Sequence, residues 1–437
     1  MTGHKIIQDS VHGSVRLDGV FLSLVEAPEL QRLHSIHQLG LAYLVYPGAN
    51  HTRFEHSLGT YAVAGRICTA LQLDPKEAEL VKCAALLHDV GHLPYSHTFE
   101  VVLHDRFGID HAEISRRLIR GEETVLSEAE ERILGDYKTI NAVLEAHDIE
   151  PEDVARLLEF SHDQAGLQST LPGGEEGQAF FNERRYLSQI VGGTIDADQL
   201  DYLVRDSHYT GVAYGVIDLD RLLETIQIFN GDLVVDKGGL SAVEGMLVAR
   251  ALMFSAVYFH KTVRISELML AKAVELLGKK EMGDIHRMTD ASLLGRLTEM
   301  GGYFEEIATQ IKYRQLFKKA YAIPVREVDE EDWESIDEFG EMGRRRKLEQ
   351  DIARRAGIDP GHVIVDVPSN ELKISEPRIS LTDVRILDGT KVRLLPRMSS
   401  IASSLHTRRV HEWAVMVACP AKDREKVAKA SKKVLEL

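Results

Sequence analysis

Residues 73–94 read LDPKEAELVKCAALLHDVGHLP, and this stretch decides the fold class. Asp74 suits a helix N-cap, Pro75 suits the first turn because its missing N–H would be unpaired there anyway, and Glu77 completes a capping-box-like start. Apolar side chains then recur at helical spacing until Gly91 and Pro94 stop the helix. At its last turn stand His88 and Asp89, neighbours roughly 100° apart around the axis and so able to straddle an ion on that flank. Gly91 leaves room beside them.

Working outward, the preceding segment SLGTYAVAGRICTAL (57–71) is also helical and begins just after His56. Antiparallel packing of the two helices brings the His56 imidazole toward the His88–Asp89 pair. The chain has 19 histidines, and His51, His56, His88, His92, His97, His104 and His111 all fall between positions 51 and 111. A lone histidine is usually a satisfied structural residue, whereas a group interleaved with carboxylates points to metal or proton chemistry. In IDADQLDYLVRDSHYTG (195–211), Asp198, Tyr202 and Asp206 recur every four residues and share one helical face, while Ile195, Leu200 and Leu203 make that helix partly buried. His56, His88, Asp89 and Asp198 are the candidate metal ligands. Two imidazoles and two carboxylates suit Mn, Fe, Zn, Co or Mg, without choosing among them. Such a divalent ion polarises a phosphoryl oxygen or lowers the pKa of water, which is what phosphoester hydrolysis needs.

Composition bounds the alternatives. A 437-residue chain with 44% hydrophobic and 27% charged residues is globular and long enough for two or three structural units. The net charge of -16 argues against a broad nucleic-acid surface, although a local cationic pocket for a small anion is compatible with it. Three scattered cysteines, Cys68, Cys83 and Cys419, form no CxxC pair, so neither a disulfide framework nor a cysteine zinc site is expected. The start, MTGHKIIQDSVHG, is neither a secretory signal nor a membrane span, no other segment is read as long enough to cross a membrane, and the chain is read as cytoplasmic.

The expected fold is mostly α: a helical core with a short N-terminal hairpin over 5–20 and a smaller C-terminal α+β domain. Residues 1–325 form the main domain, and 326–350, where an acidic block meets a basic one, form a charged linker or helix. Residues 351–437 carry strands in HVIVDV, RISLTDVRIL and WAVMVAC and a final amphipathic helix in DREKVAKASKKVLEL. Residues 121–157 read as solvated helices and 171–178 as a loop.

Together HTRFEHSLG (51–59), LLHDVGHLPYSH (86–97) and IDADQLDYLVRDSHYTG resemble the HD-superfamily deoxynucleoside triphosphate triphosphohydrolases, with similarity running from about Lys5 to Ala273. The resemblance implies an HD-domain helical core and metal ligands at His56, His88, Asp89 and Asp198, with Asp198 selected over Asp196. It implies catalytic roles for His92, His97 and His111: His97 as general acid toward the leaving sugar oxygen, with Glu100 supporting it where relatives often carry aspartate. It also implies substrate contacts: Arg53 and Arg250 to phosphate, and Gln38, Leu39, Tyr202, Asp206 and Tyr258 in a deoxyribose pocket. A nucleotide substrate and a homo-oligomer follow from the same likeness.

Two departures stand out. Gln199 occupies the place of a triphosphate-binding lysine, and Glu26 and His34, beside a matching Lys5, replace two residues that hold a regulatory guanine nucleotide. Three activities remain: dNTP hydrolysis to deoxynucleoside and inorganic triphosphate, a nucleotidase or phosphatase on mono-, di- or cyclic nucleotides, and a non-catalytic nucleotide-sensing scaffold.

Overall fold

The first turn of the N-terminal hairpin is set by one carboxylate. Asp9 accepts hydrogen bonds from the backbone N–H groups of Val11 (2.9 Å) and His12 (2.7 Å), and Gly13, at φ +74°, completes the reversal. Strands β1 (His4–Asp9) and β2 (Gly13–Asp18) pair antiparallel from that turn. In this computed structural model the described residues are 3–95, 110–162, 181, 183–278, 281, 283–368, 383–406 and 411–435. His97, Glu100 and the loop read at 171–178 lie outside them.

The chain then enters the helical core. The Arg53–Ala70 helix opens on a capping box in which Thr52 and Glu55 satisfy each other's backbone N–H groups. The Pro75–Leu87 helix starts on Asp74, whose side chain accepts from the Lys76 N–H. Glu77 does not complete a box here; its carboxylate turns to the Tyr186 hydroxyl at 3.0 Å and to Arg184 at 3.0 Å. The two helices pack against each other, and Val81 and every residue from Cys83 to Leu87 are buried. Burying each large aliphatic side chain of this kind contributes about 1.5–3 kcal/mol, so the helix carrying His88 at its C-terminus is firmly held.

A second layer is formed by the Pro151–His162 and Tyr186–Gly192 helices, the Ala197–Thr210 helix and the long segment from Leu240 to Tyr258. That last segment, counted as Lys237–Tyr258, is by length and composition apolar enough to cross a membrane, contrary to the reading of the sequence. Its polar groups explain it as a core helix: Arg250 is buried and donates to Gln199, and Tyr258 donates to Asp206. Its last turn, Phe254–Tyr258, is π-helical.

The strands expected at the C-terminus are present as β6 (Ile364–Asp366), β7 (Arg385–Asp388) and β9 (Trp413–Cys419), residues 378–382 of the expected RISLTDVRIL strand lying outside the described residues, and the final helix spans Arg424–Val434. β9 is buried at every position and lies between β5 (Lys318–Pro324) and β6, antiparallel to both. β3 (Ile226–Phe229) and β4 (Asp232–Asp236) form a hairpin whose β4 pairs parallel with β7, and β8 (Lys391–Leu394) closes that sheet. Strand pairing therefore reaches across residue 325 in both directions: β5 joins the later strands, and β7 returns to the hairpin before Leu240. Long-range backbone pairing leaves no trace in local composition, and composition was what placed the division at 325. The charged run 326–350 contains the Trp333–Gly340 helix and most of the Met342–Ala356 helix. Asp366 of β6 accepts from Arg264 at 2.8 Å and from the Trp413 indole at 2.9 Å, fastening this sheet to the Lys261–Glu275 helix.

Candidate metal centre

His56 lies in the first turn of its helix, His88 at the C-cap of the next, and Asp198 in the first turn of the Ala197–Thr210 helix. His56 Nε2 stands 3.2 Å from His88 Nε2 and 3.0 Å from Asp198 Oδ1, and His88 Nε2 is 3.7 Å from the same oxygen. The Asp198 and His88 side chains keep 19% and 11% of their surface, so the group opens to solvent on their side while His56 is sealed.

The far nitrogens of both rings are committed. His88 Nδ1 donates to the Ala85 carbonyl at 2.8 Å, and His56 Nδ1 to Asp201 Oδ2 at 2.7 Å, since carbonyl and carboxylate oxygens can only accept. Each ring therefore turns its Nε2 toward the other and toward a carboxylate. Only a positive charge reconciles that convergence, either a shared proton or a cation. Burial opposes charge on His56, yet hydrogen bonds to Asp198 and Asp201 push its pKa up to about 10. His88 is also raised against burial, by Asp89 and then Asp198. Asp198 is held well below the carboxylate range against burial, by hydrogen bonds from the two imidazoles. The donors suit a divalent cation, and His56, His88 and Asp198 are a group that could hold one.

Asp89 sits at the border of this group. Its Oδ1 is 3.3 Å from His88 Nε2 and 3.1 Å from His92 Nε2, while its Oδ2 accepts from Arg53 Nη1 and lies 3.8 Å from His56 Nε2. With His92 and His111 it forms a second set of converging donor atoms. His92 and His111 stack at 3.9 Å, an approach made possible by Gly91, where a Cβ would fall 2.4 Å from the His111 carbonyl oxygen. The Ser115 hydroxyl completes the join, donating to the His88 carbonyl and accepting from the Gly91 N–H, both at 2.9 Å. Burial first, then the neighbouring Arg53 and His111, hold the His92 pKa well below that of free histidine. At neutral pH His92 is thus an uncharged imidazole.

Of the remaining candidates, Gln199, Tyr202 and Asp206 lie on the Ala197–Thr210 helix, and Arg250 and Tyr258 bond to it from the Leu240–Tyr258 segment. Asp206 accepts from His51 Nε2 at 2.7 Å and from the Tyr258 hydroxyl at 2.6 Å, and the Tyr202 and Tyr258 rings meet edge to face at 6.2 Å. Backbone bonds Gln38 N–H to His51 O (3.0 Å) and Arg53 N–H to Ile36 O (2.9 Å) hold the Gln38–Leu39 segment against this wall. Gln38 Oε1 is buried and has no hydrogen-bond partner among the described residues. Gln199 behaves otherwise than the motif suggests: its amide donates to Gly193 O (3.0 Å) and Asp196 Oδ2 (3.1 Å), and its oxygen accepts from Arg250 at 2.8 Å. It is fully buried and orients Arg250. At the expected activator position, Lys5 is paired with Glu26 at 2.5 Å, and His34 stacks on Phe54 at 3.6 Å.

The sequence reading missed His51, Asp201, Arg205, Asp9 and His12. The Asp201 signal was present as a second carboxylate three residues after Asp198, and His51 was within the histidine-rich stretch. Nothing local marks Asp9 or His12 as neighbours of residue 201.

Comparison with known proteins gives the family. The HD domain pattern matches residues 53–205, and the HD associated region matches residues 217–437, just over half of the chain. An uncharacterized protein of Methanocaldococcus jannaschii is 32% identical over 424 residues, which cover 95% of this chain and 79% of that one. The human deoxynucleoside triphosphate triphosphohydrolase SAMHD1 is 28% identical over 352 residues, 72% of this chain and 54% of the human protein. A crystal structure of a hypothetical protein from Aquifex aeolicus superposes with a TM-score of 0.68 at 29% identity, covering 98% of this chain and all of that one. The helical core that carries the His-Asp pair, the strands of the associated region and these likenesses agree: the chain belongs to the HD superfamily of phosphohydrolases, as an HD domain joined to an HD-associated region.

Proposed function

We propose that the protein hydrolyses deoxynucleoside triphosphates to deoxynucleoside and inorganic triphosphate, with His56, His88, Asp89 and Asp198 as the metal-binding set. The observation that carries this reading is the buried Gln38 Oε1, without a partner among the described residues, on a residue whose N–H bonds the carbonyl of His51, while His51 and Tyr258 both bond Asp206 on the helix that bears Asp198. Acceptors left open at Gln38 Oε1 and at His51 Nδ1, both buried and without a partner among the described residues, suit donors on the ligand, such as a sugar hydroxyl or base N–H. Part of this wall lies one and two helical turns beyond Asp198, at Tyr202 and Asp206, on one face. The named activity of the SAMHD1 relatives supports the same substrate class.

A divalent cation held at the centre supplies Lewis acidity toward a phosphoryl oxygen and lowers the pKa of water. Arg250, held by Gln199, and Arg53, held by Asp89, are guanidinium groups suited to binding phosphate oxygens. Neutral His92 accepts or relays a proton near the phosphates, and His97, outside the described residues, is the general acid toward the leaving sugar oxygen. Tyr258 and His51 orient the Asp206 carboxylate toward the sugar.

Gln199 favours a second reading, a nucleotidase or phosphatase on nucleotides with fewer phosphates, because its carboxamide is already satisfied and brings no positive charge. Incubation with each dNTP and with mono-, di- and cyclic nucleotides, in Mn²⁺ or Mg²⁺, separates the two by product chromatography. Deoxynucleoside together with inorganic triphosphate supports the first reading. Orthophosphate or pyrophosphate as the product overturns it.

A further inference from the structure

Asp201 is one of the most heavily bonded buried side chains in the protein. Its Oδ2 accepts from His56 Nδ1 (2.7 Å) and Arg205 Nε (2.8 Å), and its Oδ1 from His12 Nε2 (2.6 Å) and Arg205 Nη2 (2.9 Å). Arg205 passes the chain on to Asp9, at 2.9 Å and 3.2 Å. Asp9 in turn holds the backbone N–H of His12, which closes the circuit. The side chains of Asp201, Arg205 and Asp9 are at most 2% exposed and that of His12 only 8%. The sequence makes room for them: Gly59, one turn beyond His56, lacks the Cβ that would collide with Asp201.

We propose that the tip of the N-terminal hairpin is a positioning element of the metal centre, with His12 acting through Asp201 on His56. This rests on the reading of His56, His88 and Asp198 as a metal site. A carboxylate behind a ligating imidazole fixes its tautomer and aim. Here that carboxylate is itself aimed by groups nearly 190 residues earlier in the chain. Arg205 bonds both oxygens of Asp201 but shares its charge with Asp9, so the His12 ring supplies a further donor to Oδ1. The His12 N–H fixes Oδ1, so that Oδ2 stays directed at His56 Nδ1 and His56 Nε2 at the cation. Asp9 serves His12 twice, by shaping the turn that presents it and by anchoring Arg205. None of these residues touches substrate or cation; their effect is on the orientation of His56.

The test is the affinity for Mn²⁺ alone, measured by competition with a fluorescent chelator at fixed pH. It is paired with the rise in unfolding temperature that Mn²⁺ induces and with far-UV circular dichroism. His12→Ala is expected to bind Mn²⁺ about tenfold more weakly, within the range seen when a carboxylate or its support behind a metal ligand is lost. Its metal-induced stabilisation shrinks correspondingly while its dichroism is unchanged. His12→Gln, whose side-chain amide can donate to Oδ1, restores affinity toward wild type, which a merely structural role for the ring would not predict. Wild-type affinity in His12→Ala overturns the inference and leaves the metal site standing. Failure of the wild-type protein itself to bind Mn²⁺ any better than His88→Ala overturns both.

Discussion

Gly59→Ala is the most demanding perturbation of this arrangement, because one methyl group enters where the structure has no space. A Cβ at Gly59 would lie 1.9 Å from Asp201 Oδ1, 2.5 Å from Asp201 Cγ and 2.2 Å from Arg205 Nη2. To reach even 3.0 Å, Asp201 Oδ1 must retreat by about 1.1 Å, and moving the carboxylate as a unit lengthens the 2.7 Å bond from its Oδ2 to His56 by up to that amount, to at most about 3.8 Å and beyond hydrogen-bond length. Alanine in a helix interior gains about 1 kcal/mol over glycine. Against that stand overpacking, about 1–3 kcal/mol, and disruption of the buried Asp201–Arg205 pair, about 3–5 kcal/mol when it is broken. The net expectation is a loss of about 3 kcal/mol or more in the metal-free protein. Mn²⁺ affinity should also fall by about 10–100-fold as His56 loses its support. Urea unfolding of the metal-free protein reads the first quantity and chelator competition the second. A Gly59→Ala protein with both the wild-type urea midpoint and the wild-type Mn²⁺ affinity refutes the reasoning.

Three other outcomes are expected. Asp198→Ala and His88→Ala should each empty the metal site and abolish hydrolysis with the helical dichroism retained; a metal-replete, active variant would contradict the assignment. Tyr258→Phe removes a donor 2.6 Å from Asp206 Oδ2, and on the proposed activity should lower kcat/KM about tenfold, or about 1.4 kcal/mol, with metal content unchanged. Asp232 gives a pH prediction. Partial burial raises its pKa, but hydrogen bonds from Arg185, Arg385 and Gln189 prevail and bring it from 3.8 to about 2. Because the folded value lies below the unfolded one, its contribution is present above about pH 4 and lost as pH falls through 2. Allowing for solvent screening, Asp232→Asn should cost about 1 kcal/mol at pH 7 and clearly less at pH 2, where the carboxylate is about half protonated, as urea midpoints at the two pH values would show.

Much of the centre was legible because its residues sit on well-signalled helices. Asp74, Pro75, Gly91 and Pro94 bracket the Pro75–Leu87 helix, so His88 and Asp89 could be placed at its end from the sequence, and the four-residue spacing of Asp198, Tyr202 and Asp206 put them on one face. Capping, helical period and the chemistry of imidazole beside carboxylate are local properties, readable within a dozen residues. The role of Gln199 was read less well: only packing shows its carboxamide consumed by Gly193, Asp196 and Arg250.

What the sequence by itself determined is therefore the helical class and the residues able to ligate a cation, since periodicity and donor type are intrinsic to the chain. What only the tertiary structure decided are the meetings between distant segments: β4 beside β7, β5 beside β9, and above all the hairpin tip against Asp201. Those depend on which surfaces pack together and on the absence of a side chain at Gly59, and neither is encoded in the spacing of residues along one element. His12 and Asp201 are ordinary polar residues in isolation. Burial of both, with each hydrogen-bonding group needing a partner, is what joins them to His56.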